Sequence, residues 1–177
     1  EGRDREAVVP VHWIDDMKIS DRSWGYIEGQ KYKDPDVIID GLADRISRGG
    51  GLLLSLCPKA DGTINNEQKY VLSEIGKWIE INGEAIYGTR TWKIHAEGDE
   101  RKLRTSGKHA ERKFDECSAE DIRFTSKGDN VYAILLGVPE SNEVVIKSLG
   151  KSGEMSSDEI SNIAFLGSDE DIKWEQN

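Results

Sequence analysis

Four side chains that can do chemistry come together near the start of the chain. His12, Trp13, Asp15 and Asp16 stand at the end of a short apolar run, Val8 to Ile14, that predicts a β-strand. Barrel enzymes draw their catalytic groups from such strand ends. A carboxyl group there acts as a general acid if burial or a second carboxylate raises its pKa toward the working pH. Asp16 is the preferred candidate and Asp15 the weaker one, with helix capping or turn formation as the alternative for both.

A second candidate lies at the end of the next predicted strand. The apolar run Leu52 to Leu56 contains Ser55, whose hydroxyl can donate a hydrogen bond to a substrate oxygen. The alternative is that Ser55 is simply a small buried strand residue. Cys57 follows the run, and nothing near it in sequence would stabilise a thiolate, so we expect it to be a packing residue.

Metal and disulfide chemistry find no support in the sequence. Its two cysteines, Cys57 and Cys117, are far apart and form no CxxC pair, and its three histidines lack ligand spacing. We therefore predict no structural metal and no cofactor.

Strand and helix signals alternate in the first half of the chain. Asp34-Pro35 marks a helix start, Val37, Ile38, Leu42 and Ile46 lie near one face, and Gly49 suits the end. Leu52 to Leu56 reads as a strand buried on both faces. A second helix is predicted from about Asn66 to Ile81, with Trp78 on its apolar stripe. This β-α-β-α order predicts an α/β unit with parallel strands.

The second half predicts an all-β domain. Residues 92–117 are polar with few strand or helix signals. Short strands then follow, with turn clusters between several of them, as in an antiparallel sandwich whose core includes Trp174. The predicted strands are Asp121 to Thr125, Asn130 to Leu136, Glu143 to Leu149, Ile160 to Leu166 and Ile172 to Trp174. The resulting domains are 1–90 (α/β), 91–117 (linker or irregular) and 118–177 (an incomplete β-sandwich).

Charge and hydropathy exclude two classes of partner. The chain has 24 Lys plus Arg against 34 Asp plus Glu, a formal charge of −10, and its basic residues are scattered. Nucleic acid binding needs clustered cations, so no nucleic acid partner is expected. No stretch approaches the roughly 18 apolar residues of a membrane span, which predicts a soluble protein without a membrane partner. The absence of an Asn-x-Ser/Thr sequon favours a bacterial source.

Several runs, in order and spacing, resemble glycoside hydrolase family 29 α-L-fucosidases over nearly the whole chain. The most specific is the exit segment Asn82 to Arg90, and Ser23 to Tyr26 is similar to the active-site-lining Ser-Trp-Gly-Tyr loop. The remaining similar runs are Lys31 to Lys33, Gly49 to Ser55, Pro58 to Ile64, Ile75 to Trp78, Ala119 to Thr125 and Val131 to Ile134.

The resemblance implies a retaining fucosidase of which this chain is a part: the last strand-helix units of a (β/α)8 barrel followed by a C-terminal β-sandwich. One carboxylate attacks the anomeric carbon and a second carboxyl group protonates the leaving oxygen. The family's nucleophilic Asp lies upstream, so the chain alone should be inactive. The substrate is a fucosylated oligosaccharide or glycoconjugate, the structural partner is the remainder of the barrel, and the expected location is extracellular or periplasmic rather than lysosomal.

Within this family, Trp24 is expected to stack on the apolar face of a sugar, with Tyr26 in the same loop also contacting substrate. His12, Trp13 and Ser55 complete the expected substrate-binding set. The alternative for Trp24 is a tryptophan that anchors its loop.

The chain departs from the family pattern at four positions. Ile14 stands where the family often has Glu, Gly51 and Ser55 replace Asn, and Cys57 replaces Gly. Some members instead carry an Asp two residues after that Glu position, where this chain has Asp16. The alternative function is a non-catalytic carbohydrate-binding or structural β-sandwich module, which a fold by itself does not exclude.

Overall fold

The computed structural model describes residues 11–99, 117–151 and 159–177. The first elements are β1 (Trp13–Lys18), α1 (Pro35–Ser47), β2 (Gly50–Ser55) and α2 (Asn66–Asn82). β1 and β2 are parallel neighbours, with Trp13 opposite Gly50 and Lys18 opposite Ser55. The predicted β-α-β-α unit is confirmed.

Local signals set the ends of both helices. Asp34 is extended ahead of Pro35, so α1 begins where a fixed proline φ suits the first turn. Gly49 ends it with φ 81°, a left-handed conformation that glycine adopts without a Cβ penalty. Asn65 caps α2, because its side chain accepts a hydrogen bond from the backbone N–H of Gln68.

The first strand differs from its prediction. It spans Trp13–Lys18 rather than Val8 to Ile14; residues 8–10 lie outside the described ranges, and Val11 and His12 are not in the strand. The apolar run gave the wrong strand limits because β1 continues through Asp15 and Asp16, whose side chains lie on opposite faces of the sheet. Asp15 is accommodated on the helix side by an ion pair with Arg45, so polarity did not end the strand.

Helices cover one face of the parallel pair. Met17, Leu52 and Leu54 pack toward α1 and α2, in a core that also contains Ile19, Ile38, Ile39, Cys57, Val71 and Ile75. On the opposite face Ile14 is 72% exposed and Leu53 60% exposed. The prediction that the second strand is buried on both faces is therefore wrong for the described residues. The apolar composition of a strand does not by itself show which of its faces packs against other elements.

A three-stranded antiparallel sheet follows, built from β3 (Arg90–Glu97), β4 (Ile122–Lys127) and β5 (Asn130–Leu135) in that order. The strands predicted around Phe124 and Ile134 are confirmed. Because β3 covers residues 91–97, the prediction that this segment is a linker or irregular is wrong there. Trp92, Ile94 and Ala96 alternate with polar residues, a period-two signal that the polarity of the surrounding segment obscured. The ring of Trp92 packs 5.3 Å from that of Phe124.

Three predicted strands are absent from the part of the chain that the structure describes. Residues 143–149, 160–166 and 172–174 form no ladder, apart from a 3₁₀ turn at Lys147–Leu149. Trp174 is 37% exposed rather than a core residue, whereas Trp78 is half-buried and packs against two apolar clusters. These short runs contain apolar residues, but Val145 and Phe165 are largely exposed and meet no facing strand there.

The second sheet packs against α1 through apolar and charged contacts. Ala43, Ala85, Ile86, Ile134 and Leu136 form one buried cluster. Beside it, the fully buried Arg123 of β4 donates from Nε to Asp44 Oδ1 of α1 at 2.7 Å. Asp44 also pairs with Arg48. Burial raises the pKa of Asp44, but the charges and hydrogen bonds of Arg123 and Arg48 outweigh it and lower the pKa below its usual value.

The domain limits 1–90, 91–117 and 118–177 stay predictions. Among the described residues, the helices lack the combination of length and hydropathy that a membrane-spanning helix needs.

Candidate functional site

Strand alternation sorts the candidate residues between the two faces of the parallel pair. Asp16 and Ser55 lie on the open face, away from the helices, because Asp16 pairs with Leu53 and Lys18 with Ser55. Asp16 is exposed there and Ser55 is half-buried. The structure therefore brings these two candidates to the same surface.

Asp15 points to the other face and has a structural partner. Its Oδ2 accepts hydrogen bonds from Arg45 Nε at 2.8 Å and Nη2 at 2.5 Å. Arg45 also donates to the carbonyl of Gly41 within α1. Because this pair is nearly buried, Asp15 links β1 to α1 through Arg45. Its role in catalysis stays a prediction.

Trp13 is the first residue of β1 and His12 precedes the strand, so neither lies at its end. The Trp13 ring covers Gly50 so closely that a Cβ on Gly50 would lie 2.4 Å from it. The Trp13 indole N–H is buried and has no hydrogen-bond partner among the described residues. Asp15 and Asp16 are the third and fourth of the six residues of β1, so the strand-end argument is wrong for all four residues. Substrate contact by His12 and Trp13 and a catalytic role for Asp16 stay predictions.

Trp24 and Tyr26 occupy the loop between β1 and α1, at the carboxyl end of the parallel strands. Trp24 is 47% exposed, and Tyr26 is half-buried beside Lys59, whose Nζ lies 5.6 Å from the centre of its ring. The loop is folded on itself. Ser20 Oγ donates to the carbonyl of Ser23, and the Gly25 N–H donates to Ser23 Oγ at 3.1 Å. Trp24, exposed on a loop with internal hydrogen bonds, is available to a ligand.

A buried glutamine ties this loop to the loop after β2. Gln68 of α2 is fully buried, accepts from the Cys57 N–H at 2.8 Å and donates to the Cys57 carbonyl at 3.0 Å. Its Nε2 also lies 3.4 Å from the hydroxyl of Tyr32, which accepts from Asn65 Nδ2 at 3.0 Å. Tyr32 belongs to the first loop and Cys57 to the second. The Gln68 side chain therefore contacts both loops and holds them together.

Gln68, Asn65 and Tyr32 were not among the site residues predicted from the sequence. A signal was present, since an Asn followed three residues later by Gln resembles a capping box. Cys57 is fully buried, as its predicted packing role requires, and its thiol lies 3.5 Å from the carbonyl of Ser23, next to Trp24.

The described residues contain no group of three or more His, Cys, Asp or Glu side chains placed to hold a metal ion.

Two family models match the chain in sequence order. The model described as alpha-L-fucosidase matches residues 1–84, and the model of the alpha-L-fucosidase C-terminal domain matches residues 115–177. The alpha-L-fucosidase of Branchiostoma floridae is 32% identical over 172 residues, 95% of this chain and 33% of that protein. The human tissue alpha-L-fucosidase is 32% identical over 178 residues, 98% of this chain and 33% of that protein.

Solved structures of α-L-fucosidases also align with this chain. The Thermotoga maritima alpha-fucosidase in complex with fucose aligns with a TM-score of 0.60 at 30% identity, over 76% of this chain and 28% of that one. A Thermotoga maritima alpha-L-fucosynthase aligns with a TM-score of 0.65 at 30% identity, over 82% of this chain and 30% of that one.

These relatives and structural neighbours are glycoside hydrolases. The chain belongs to the α-L-fucosidase family. It spans about a third of the length of the curated relatives it matches.

Proposed function

We propose that this chain is part of an enzyme that hydrolyses terminal α-L-fucosyl groups with retention of configuration. The match of two consecutive α-L-fucosidase models along one chain, in the order that the fold follows, carries this proposal. Retention needs two carboxyl groups, a nucleophile and an acid/base, on opposite sides of the scissile bond. In this proposal the nucleophile comes from a segment outside this chain.

The parallel pair is proposed to be the last part of a (β/α)8 barrel. Its helix-covered face would be the barrel exterior, and its open face, with Asp16 and Ser55, would be the interior. The loop of Trp24 and Tyr26 follows a strand at the carboxyl end, the end that carries the active site in barrel enzymes. This arrangement supports substrate contact by Trp24, Tyr26 and Ser55 and a proton-transfer role for Asp16.

The antiparallel sheet of β3, β4 and β5 is proposed to be the first part of the C-terminal sandwich. The match of the C-terminal domain model to residues 115–177 supports this for β4 and β5. We also propose that the enzyme is extracellular or periplasmic. Fractionation of the source organism, followed by detection of the enzyme with an antibody, tests the location.

The experiment is a comparison of the full-length enzyme with the 177-residue chain on an aryl α-L-fucoside. The full-length enzyme is expected to release fucose and to form the α-anomer first, as followed by proton NMR. The chain alone is expected to show no turnover at any pH. Turnover by the chain would contradict the proposed source of the nucleophile, and a β-anomer as first product would exclude retention.

A further inference from the structure

We propose that the cavity between the loop after β1 and the loop after β2 binds the sugar residue to which the fucosyl group is attached. The inference rests on the proposed fucosidase function and adds a second sugar subsite to it. The cavity has a volume of about 400 Å³ and lies between Tyr26 and Gln30 on one side and Lys59, Asn65, Asn66 and Glu67 on the other. Small-molecule sites commonly occupy roughly 300–1,000 Å³, so the cavity is large enough for a sugar ring.

The position of the cavity agrees with this use. Both of its loops follow the carboxyl ends of the parallel strands, the same end at which Trp24 is exposed. A sugar bound there would extend outward from a fucosyl group held over the open sheet face. The cavity walls come entirely from these two loops and the first turn of α2.

The cavity walls have the chemistry that a neutral sugar requires. Tyr26 offers an aromatic surface for the C–H face of a pyranose, and Ile64 adds apolar surface beside it. Amide side chains of Gln30, Asn65 and Asn66 offer both donors and acceptors to hydroxyl groups. Lys59 and Glu67 contribute one charge of each sign, so the cavity selects neither an anion nor a cation.

Gln30, one of the residues that line the cavity, carries a buried polar atom without a hydrogen-bond partner among the described residues. Gln30 is only 9% exposed, and its Oε1 accepts no hydrogen bond from the described residues. The amide is held loosely, because its Nε2 donates to the Gly25 carbonyl at 3.3 Å. A change in the side-chain torsions that brought this acceptor to a sugar hydroxyl would remove the cost of leaving it unpaired, in exchange for the long hydrogen bond to Gly25.

The cavity is also preformed. Asn65 caps α2 and donates to Tyr32, while Gln68 holds the Cys57 backbone, so both loops are fixed without a ligand. Binding there loses little entropy to loop ordering.

The test uses the full-length enzyme and two substrates, a neutral fucosylated disaccharide and 4-nitrophenyl α-L-fucoside. Asn66→Ala removes one wall amide at an exposed first-turn position and keeps helix propensity. The ratio of kcat/KM for the disaccharide to kcat/KM for the aryl fucoside is expected to fall about two- to tenfold, the effect of one lost hydrogen bond. Tyr26→Leu is expected to lower the same ratio.

The matched control is Lys69→Ala, an exposed position on the same helix that does not line the cavity, and it is expected to leave the ratio unchanged. An unchanged ratio in both cavity variants, with wild-type turnover of both substrates, overturns the subsite and leaves the fucosidase proposal intact. Absence of wild-type turnover on both substrates overturns the fucosidase proposal and the subsite together.

Discussion

At the scale of single residues, Asp16 and Trp24 are expected to affect catalysis in different ways. Asp16→Asn removes a proton donor, which costs typically 10²–10⁴-fold in rate when the residue is the general acid. The loss should be steep for a natural disaccharide and small for an activated aryl fucoside, whose leaving group needs no proton. Kinetics of the full-length enzyme on both substrates measure this difference. An equal loss on both would make Asp16 a binding or folding residue.

Trp24→Ala serves as the comparison, because it removes a stacking surface without changing a carboxyl group. Aromatic contact contributes on the order of 1 kcal/mol beyond buried area, so KM is expected to rise several-fold. A variant with unchanged KM and kcat would make Trp24 a structural residue of its loop.

The ion pair between Asp15 and Arg45 predicts a stability effect rather than a catalytic one. Arg45→Leu leaves the Asp15 carboxylate nearly buried without its cation, which costs about 3–5 kcal/mol. The double variant Asp15→Leu with Arg45→Leu should recover most of this loss, because a buried pair and an apolar pair of similar size are close in stability. Urea denaturation of the full-length enzyme measures both changes. A double variant as unstable as the single one would exclude an electrostatic origin.

At the scale of elements, α2 acts on the loop after β2 through Gln68. Gln68→Leu leaves the N–H and carbonyl of Cys57 without their side-chain partner in a buried place, and each unpaired group costs about 1–3 kcal/mol. The Cys57 amide should therefore exchange its hydrogen markedly faster, and the free energy of unfolding should fall.

Hydrogen exchange measured by NMR or mass spectrometry reads the Cys57 amide directly. Lys69→Leu is the control, since this neighbouring position is exposed and should leave exchange at Cys57 unchanged. Slow exchange in Gln68→Leu would mean that the strand pairing of β2, rather than Gln68, holds this loop.

At the scale of the whole molecule, the contact between α1 and the second sheet should weaken as pH rises. Burial, with smaller contributions from Asp36 and Asp121, raises the pKa of Asp40 from 3.8 to about 7, although a hydrogen bond with Cys117 and the charge of Arg123 act in the opposite direction. Burial and the charges of Asp40 and Asp121 likewise raise the pKa of the Cys117 thiol to about 12. Between pH 4 and pH 7 the folded state therefore binds more protons at Asp40 than the unfolded chain does.

Because the raised pKa favours the protonated folded form, its stabilising effect is complete below about pH 4 and is lost as pH rises through 7. The full shift corresponds to about 4 kcal/mol, and partial exposure of the carboxyl to solvent lowers the expected effect to about 2 kcal/mol. Asp40→Asn should remove this pH dependence and stabilise the enzyme at pH 8. Thermal unfolding between pH 4 and pH 8 is the measurement; an unchanged slope in the variant would assign the dependence to other groups.

The sequence by itself determined the elements whose signals are local. Asp34-Pro35 and Gly49 bound α1, and α2 was predicted from about Asn66 to Ile81 and spans Asn66–Asn82, because such boundaries depend mainly on backbone conformation and near neighbours. The family resemblance likewise depends on order and spacing along the chain. The α-L-fucosidase family is therefore identifiable from the sequence alone.

Only the tertiary structure decided which face of the parallel pair is open and which aspartate lies on it. A strand shift of a few residues put Trp13 at the beginning of β1 and His12 just before it. Strand alternation directs Asp15 toward Arg45 of α1 and Asp16 to the open face. Side-chain direction reverses at every strand residue, so a small error in strand position changes every assignment. Gln68 and Arg123 gained their roles from partners 11 and 79 residues away in sequence, and no local pattern specifies such pairs.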